Sequence, residues 1–144
     1  MTHEDKGNFR GKHDPDRPVN GEVKDALKNL IKDNGISCAA AHKLAKELGL
    51  DPAEIGFTMD HLEVKITACQ MGLFGYSPQK KIVEPAPHVH LDLKKAIESK
   101  AENNRLPCKS AWDIADTMGI KRMEVASACE ALQIKITPCQ LGAF

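Results

Sequence analysis

Aromatic residues are scarce in this chain: one Trp, one Tyr and four Phe among 144 residues. Net charge is missing too, since Lys+Arg and Asp+Glu both number 20. That balance excludes the strongly basic, histone-like or tail-type nucleic-acid binders. No apolar stretch approaches the ~20 residues of a membrane helix. Met1–Gly21 is polar with no apolar centre, so it does not read as a secretory signal. Five Cys without such a signal point to reduced thiols in a cytoplasmic protein, not to a disulfide scaffold. Cys-x-x-Cys pairs, a Gly-rich phosphate loop, a nucleophile elbow and a His-Glu-x-x-His pair are all lacking. Nothing in the chain therefore resembles an enzyme.

What the chain has is an internal duplication. A shift of 70 residues aligns Val23–Phe74 with Leu93–Phe144 without a gap, with 16 identities in 52 positions. Cys38 pairs with Cys108 and Cys69 with Cys139; Gly49 pairs with Gly119 and Gly72 with Gly142. The best-matched stretch is Lys65–Gln70 against Lys135–Gln140, and each runs on through Gly72 or Gly142 to Phe74 or Phe144. Residues 1–22 are charged, carry Pro15 and Pro18 and have little to bury, so they read as a mobile segment. Residues 75–92 hold Pro78, Pro85 and Pro87 and read as a semi-rigid linker.

Each repeat, 23–74 and 93–144, reads as three helices and a short strand, giving a mostly α protein. Ala26, Leu27, Leu30 and Ile31 recur at helical spacing over Val23–Asp33, with Asn34-Gly35 as the stop. Ser37 caps a second helix that ends at Gly49. Asp51-Pro52-Ala53-Glu54 starts a third, in which Glu54 is expected to reach back to the cap. Val64–Thr67 alternates and is β-branched, as a strand does. The second repeat gives Leu93–Asn104, Pro107–Met118, Lys121–Leu132 and the strand Ile134–Thr137. The two strands are expected to pair across the repeats, giving a pseudo-twofold particle. A 52-residue unit buries a marginal core, so docking of the units or homo-oligomerisation is expected.

Helices two and three, joined at Leu48-Gly49-Leu50 and at Met118-Gly119-Ile120, have helix-turn-helix spacing. Ala45 and Ala115 precede these turns, and Ile55 and Val125 follow them. On these residues the chain resembles the helix-turn-helix class of DNA-binding domains. The tail Cys-Gln-apolar-Gly-x-Phe also resembles small, poorly characterised helix-turn-helix-like proteins of anaerobic microbes. The first resemblance implies a transcriptional regulator that binds double-stranded DNA, with the third helix entering the major groove. In the second repeat the candidate contacts are Lys109, Lys121, Arg122 and Ser127, with Glu124 on the same helix. In the first they are Asp51, Glu54, Thr58 and His61. The first repeat has 6 basic and 7 acidic residues and the second 8 and 6, so a basic stripe is weak in one and absent in the other. The competing assignment is a set of solvated helix faces in a protein-interaction or assembly module, with or without a response to thiol chemistry or metal.

Thiolates bind metal, and Cys69, Cys139, His88 and His90 are the candidate ligands for a structural or sensory ion. His88 and His90 fall on one side of an extended segment, and His42 stands one helical turn from Cys38. Against this, free Cys is often a small buried hydrophobe, and Cys38, Cys108 and Cys129 fit that description. The duplication leaves open whether Cys69 and Cys139 mark structural corners or reactive thiols. Gln70 and Gln140 are expected to satisfy backbone groups in their turns, Phe74 and Phe144 to fold back as lids, and Trp112 to serve core or interface.

Overall fold

The structure is a computed structural model that describes residues 9–77 and 80–143. It is mostly α, with six α-helices and four short strands among the described residues. The order is α1 (Gly21–Lys28), β1 (Gly35–Ser37), α2 (Cys38–Leu48), α3 (Pro52–His61) and β2 (Lys65–Thr67). It recurs as α4 (Leu91–Lys100), β3 (Arg105–Leu106), α5 (Cys108–Met118), α6 (Arg122–Leu132) and β4 (Lys135–Ile136). No helix among the described residues is long and apolar enough to cross a membrane.

Local chemistry sets most of these boundaries. The Ser37 hydroxyl accepts from the Ala40 amide and the Asp51 carboxylate from the Ala53 amide, satisfying orphan donors at the starts of α2 and α3. Lys121, the residue before α6, makes no side-chain cap bond. Gly49 and Gly119 end α2 and α5 in the left-handed conformation, at φ 66° and 67°. Beneath the bends, Ala45 and Ala115 are buried. Glu54 does not reach back to its cap; it pairs instead with Arg17 at 3.0 Å.

The expected strand pairing is corrected. Each half has two strands, and they pair in parallel within that half: Ile36 beside Ile66, and Leu106 beside Ile136. The reason lies after α1, which stops at Lys28 and not at Asp33. Asp33 and Asn34 then take positive φ, 51° and 60°, and the chain turns back so that Lys32 bridges Gly35. Asn103 and Asn104 do the same before β3. Asn and Asp tolerate that conformation better than other side chains. Gly35 therefore opens β1 instead of stopping a helix. A Cβ there would stand 2.8 Å from the Thr67 Cγ2.

The segment before α1 has more to hold than its charge suggests. Residues 1–8 lie outside the described residues, but Phe9 is buried, and the Phe9 and Arg10 amides donate to Glu63. Lys12 and His13 both meet the buried Asp60, at 2.9 and 2.7 Å. Arg17 lies over the Phe57 ring, 3.7 Å from its centroid. The linker treats α6 the same way. Lys81 pairs with Glu130 at 2.8 Å, the Ser127 hydroxyl donates to the Glu84 carbonyl, and the Ala86 amide donates to the Ser127 carbonyl. Asp60 and Glu130, and Phe57 and Ser127, are 70 residues apart, as are Pro15 and Pro85, and the cap residues Asn20 and His90. The repeating unit thus reaches back past Val23 and Leu93 to include a strap over the third helix.

One buried apolar cluster runs through both halves. The turns after β2 and β4 join them. Leu141 lies against α3 so closely that a Cβ on Gly56 would fall 1.7 Å from the Leu141 carbonyl oxygen. Across the molecule, Gly72 faces Met123 of α6. The straps reach the same turns, with the Lys12 Nζ donating to the Gly142 carbonyl and the Ile82 amide to the Gly72 carbonyl. In an unobstructed helix, Gly→Ala adds ~0.5–1 kcal/mol of stability. At Gly56 the added methyl meets backbone, so we expect Gly56→Ala to destabilise by ~1–3 kcal/mol in urea denaturation. A variant as stable as the wild type or more so contradicts this packing.

Candidate functional site

Two groups of residues converge where the halves meet. The first surrounds Trp112 on α5. Its ring centroid is 4.2 Å from that of His42 on α2, its counterpart in the other half, and the Arg122 guanidinium lies 3.5 Å above it. Arg122 also reaches the Gln70 side-chain oxygen at 3.5 Å. Among the described residues, the buried indole N–H of Trp112 has no hydrogen-bond partner. Burial, then the nearby Arg122 charge, lowers the His42 pKa from 6.5 to about 4.

The sequence candidates for DNA contact are thereby dispersed. Lys109 is exposed and pairs with Asp113 one turn on, at 3.2 Å. Lys121 is exposed, Arg122 is half-buried on Trp112, and Ser127 is tied to the linker. In the first half, Thr58 is buried and bonds back to the Glu54 carbonyl, as hydroxyls do inside helices. Asp51 is a cap, Glu54 holds Arg17, and the His61 carbonyl accepts from Arg10.

The second group is the cysteines. Cys38, Cys69 and Cys108 are buried and Cys139 is half-buried. Burial pushes Cys38 from 9.0 up to about 12; the Gln70 amide opposes the rise and Cys69, Cys139 and Cys108 add to it. Burial also pushes Cys108 up to about 11, against the Gln140 side chain and amide, with Cys139 and Cys69 adding. Cys69 is raised by burial, against the amides of Leu73, Met71 and Phe74, with Cys139 adding. Cys129 stands apart, raised to about 12 by burial and by Glu130. The Gln140 Nε2 is 3.6 Å from the Cys108 sulfur. The two Gln side chains thus reach out of their turns to Arg122 and Cys108, not into them as expected. Phe74 is buried as a lid would be, and Phe144 lies outside the described residues.

His88 and His90 do not join Cys69 and Cys139 in a ligand set. The exposed His90 caps α4, its Nδ1 accepting from the Asp92 amide at 3.2 Å, and His88 is exposed. Among the described residues, no three of His, Cys, Asp and Glu are arranged to hold a single metal ion. Sequence reasoning missed the His42–Trp112 contact and the grouping of Cys38 and Cys108 with Cys69 and Cys139. The signal was the register itself, because matching residues near a shared axis meet their own counterparts.

His42 yields a pH prediction. Unfolding returns it to 6.5, so at lower pH the unfolded chain binds a proton that the folded chain refuses. Its contribution is complete above 6.5 and is lost as pH falls toward about 4. Across that window, His42→Phe should lose less stability than the wild type. A stability difference between the two that stays constant with pH contradicts the assignment. Comparison of the chain with protein-family models, curated proteins and solved structures finds no match.

Proposed function

We propose that this chain is a protein-interaction or assembly module made of two helix-turn-helix-like units, related by a pseudo-twofold axis near His42 and Trp112. A reducing, cytoplasmic compartment suits its five free thiols. The observation that carries this reading is the strap over each third helix. A helix that reads DNA presents one face to the major groove, led by residues near its N-terminus. On α3, Ile55 to Asp60 are all buried, and Ala53 is the exposed residue of the helix. On α6 the linker takes Ser127 and Glu130, and the exposed Lys121, Glu124 and Ala131 mix charges instead of forming a basic stripe.

Transcriptional regulation through DNA is the second reading, favoured by the exposed cations Lys109 and Lys121 at the starts of α5 and α6. The two readings assign different work to adjacent residues. Under the first, Arg122→Ala costs ~0.5–2 kcal/mol through loss of its stacking on Trp112. Lys121→Ala stays within about 0.5 kcal/mol of wild type. The full chain should also show no salt-dependent shift of a mixed-sequence duplex pool. Binding whose salt slope drops by roughly two phosphate contacts in the Lys121→Ala, Arg122→Ala variant would establish the DNA reading instead.

A further inference from the structure

We propose that Cys38, Cys69, Cys108 and Cys139 together hold an iron–sulfur cluster in the seam between the two halves. The inference stands on the placement of these residues and not on the interaction reading, so either can fail alone.

Backbone geometry brings the four together. Parallel pairing sets Ser37 beside Thr67 and Leu106 beside Ile136. Cys38 and Cys69 therefore leave the same end of one strand pair, and Cys108 and Cys139 the same end of the other. The Cys108 amide donates to the Pro138 carbonyl at 3.1 Å, fixing the second pair. The halves then meet at His42 and Trp112, 4.2 Å apart between ring centroids. Cys38 and Cys108 each precede that contact by four residues, one helical turn along the same face. The charges follow suit: Cys38 and Cys108 are each affected by thiols from the opposite half, and Cys69 by Cys139. Cys129 has no part in this.

The surroundings suit thiolates better than inert thiols. Cys38 and Cys108 open eleven-residue helices, where the helix dipole favours negative charge. Amide donors converge on sulfur: Gln70 on Cys38, Gln140 on Cys108, and Met71, Leu73 and Phe74 on Cys69. A buried neutral thiol is a weak acceptor and does not call for so many donors, whereas N–H···S bonds stabilise and tune metal-bound thiolates.

The ligand set decides the kind of centre. Four thiolates without oxygen or imidazole suit zinc or iron–sulfur chemistry. A single zinc, with Zn–S of about 2.3 Å, needs its sulfurs nearly in contact. The absence among the described residues of such a single-ion arrangement argues against it. A cluster holds its cysteines further apart on separate irons, and a set of four thiolates serves both common cluster types. Binding releases the thiol protons to solvent as each sulfur ligates iron.

The test uses the full chain, purified without oxygen and supplied with ferrous iron and sulfide. Iron and acid-labile sulfide should be retained in equal amounts after desalting, with the broad visible absorption of a thiolate-bound cluster. Cys38→Ser, Cys69→Ser, Cys108→Ser and Cys139→Ser should each lower retained iron by about tenfold or more, while their helical circular dichroism persists. Cys129→Ser should retain iron like the wild type. A wild-type chain without iron and sulfide, or one holding a single zinc instead, overturns the proposal. So does an equal loss in Cys129→Ser, which would trace iron retention to general packing.

Discussion

The contact between each Cys-Gln-x-Gly turn and the third helix of the opposite half is the constraint on which the rest depends. At Gly56 the Leu141 carbonyl approaches a helix backbone with no room for a methyl group. At Gly72 the other turn faces Met123 and accepts two amides from the linker, those of Ile82 and Val83. A turn that packs so tightly on a helix needs small residues on both sides, and Gly56 and Ala126 hold matching positions on α3 and α6. The same turns carry Cys69 and Cys139, so seating the halves also draws the thiols together.

From this docking follows the state of the third helices. Each is covered on its inner side by its own core and the opposite turn, and on its outer side by a strap. The straps use different chemistry at matching positions. One sets Lys12 and His13 on Asp60 and Arg17 on Phe57; the other sets Lys81 on Glu130 and the Glu84 carbonyl on Ser127. Pro15 and Pro85 stand at equal places in both. Because unlike side chains serve one geometry, little sequence similarity marks the straps as part of the repeat. The pairing of a buried carboxylate with two cations also shows why charge alone was a poor guide to what residues 9–20 do.

The sequence was legible where a single residue decides the backbone. Ser37, Asp51, Gly49 and Gly119 cap or end helices where their chemistry requires it. It was illegible where the signal is shorter than a period. β1 and β3 span three and two residues, too few for alternation to show, and the turn that creates them rests on Asp33 and Asn34, next to a Gly with the stronger local signal. Arg122 read as a phosphate contact because only the fold could place Trp112 beneath it. The cysteines recur visibly, but 31 residues separate Cys38 from Cys69, and no spacing rule anticipates a set drawn from two strand ends and two helix starts.

That the two halves stabilise one another through these turns is the central claim, and dividing the chain tests it most directly. Residues 1–77 and 78–144 would be produced as separate polypeptides and examined by circular dichroism and analytical ultracentrifugation, alone and mixed. Halves this small bury marginal cores, and association stabilises the folded form by mass action. The account predicts that each half alone is poorly helical, and that mixing restores the helicity of the intact chain in a 1:1 complex. Two halves that fold fully by themselves and stay apart when mixed would contradict it.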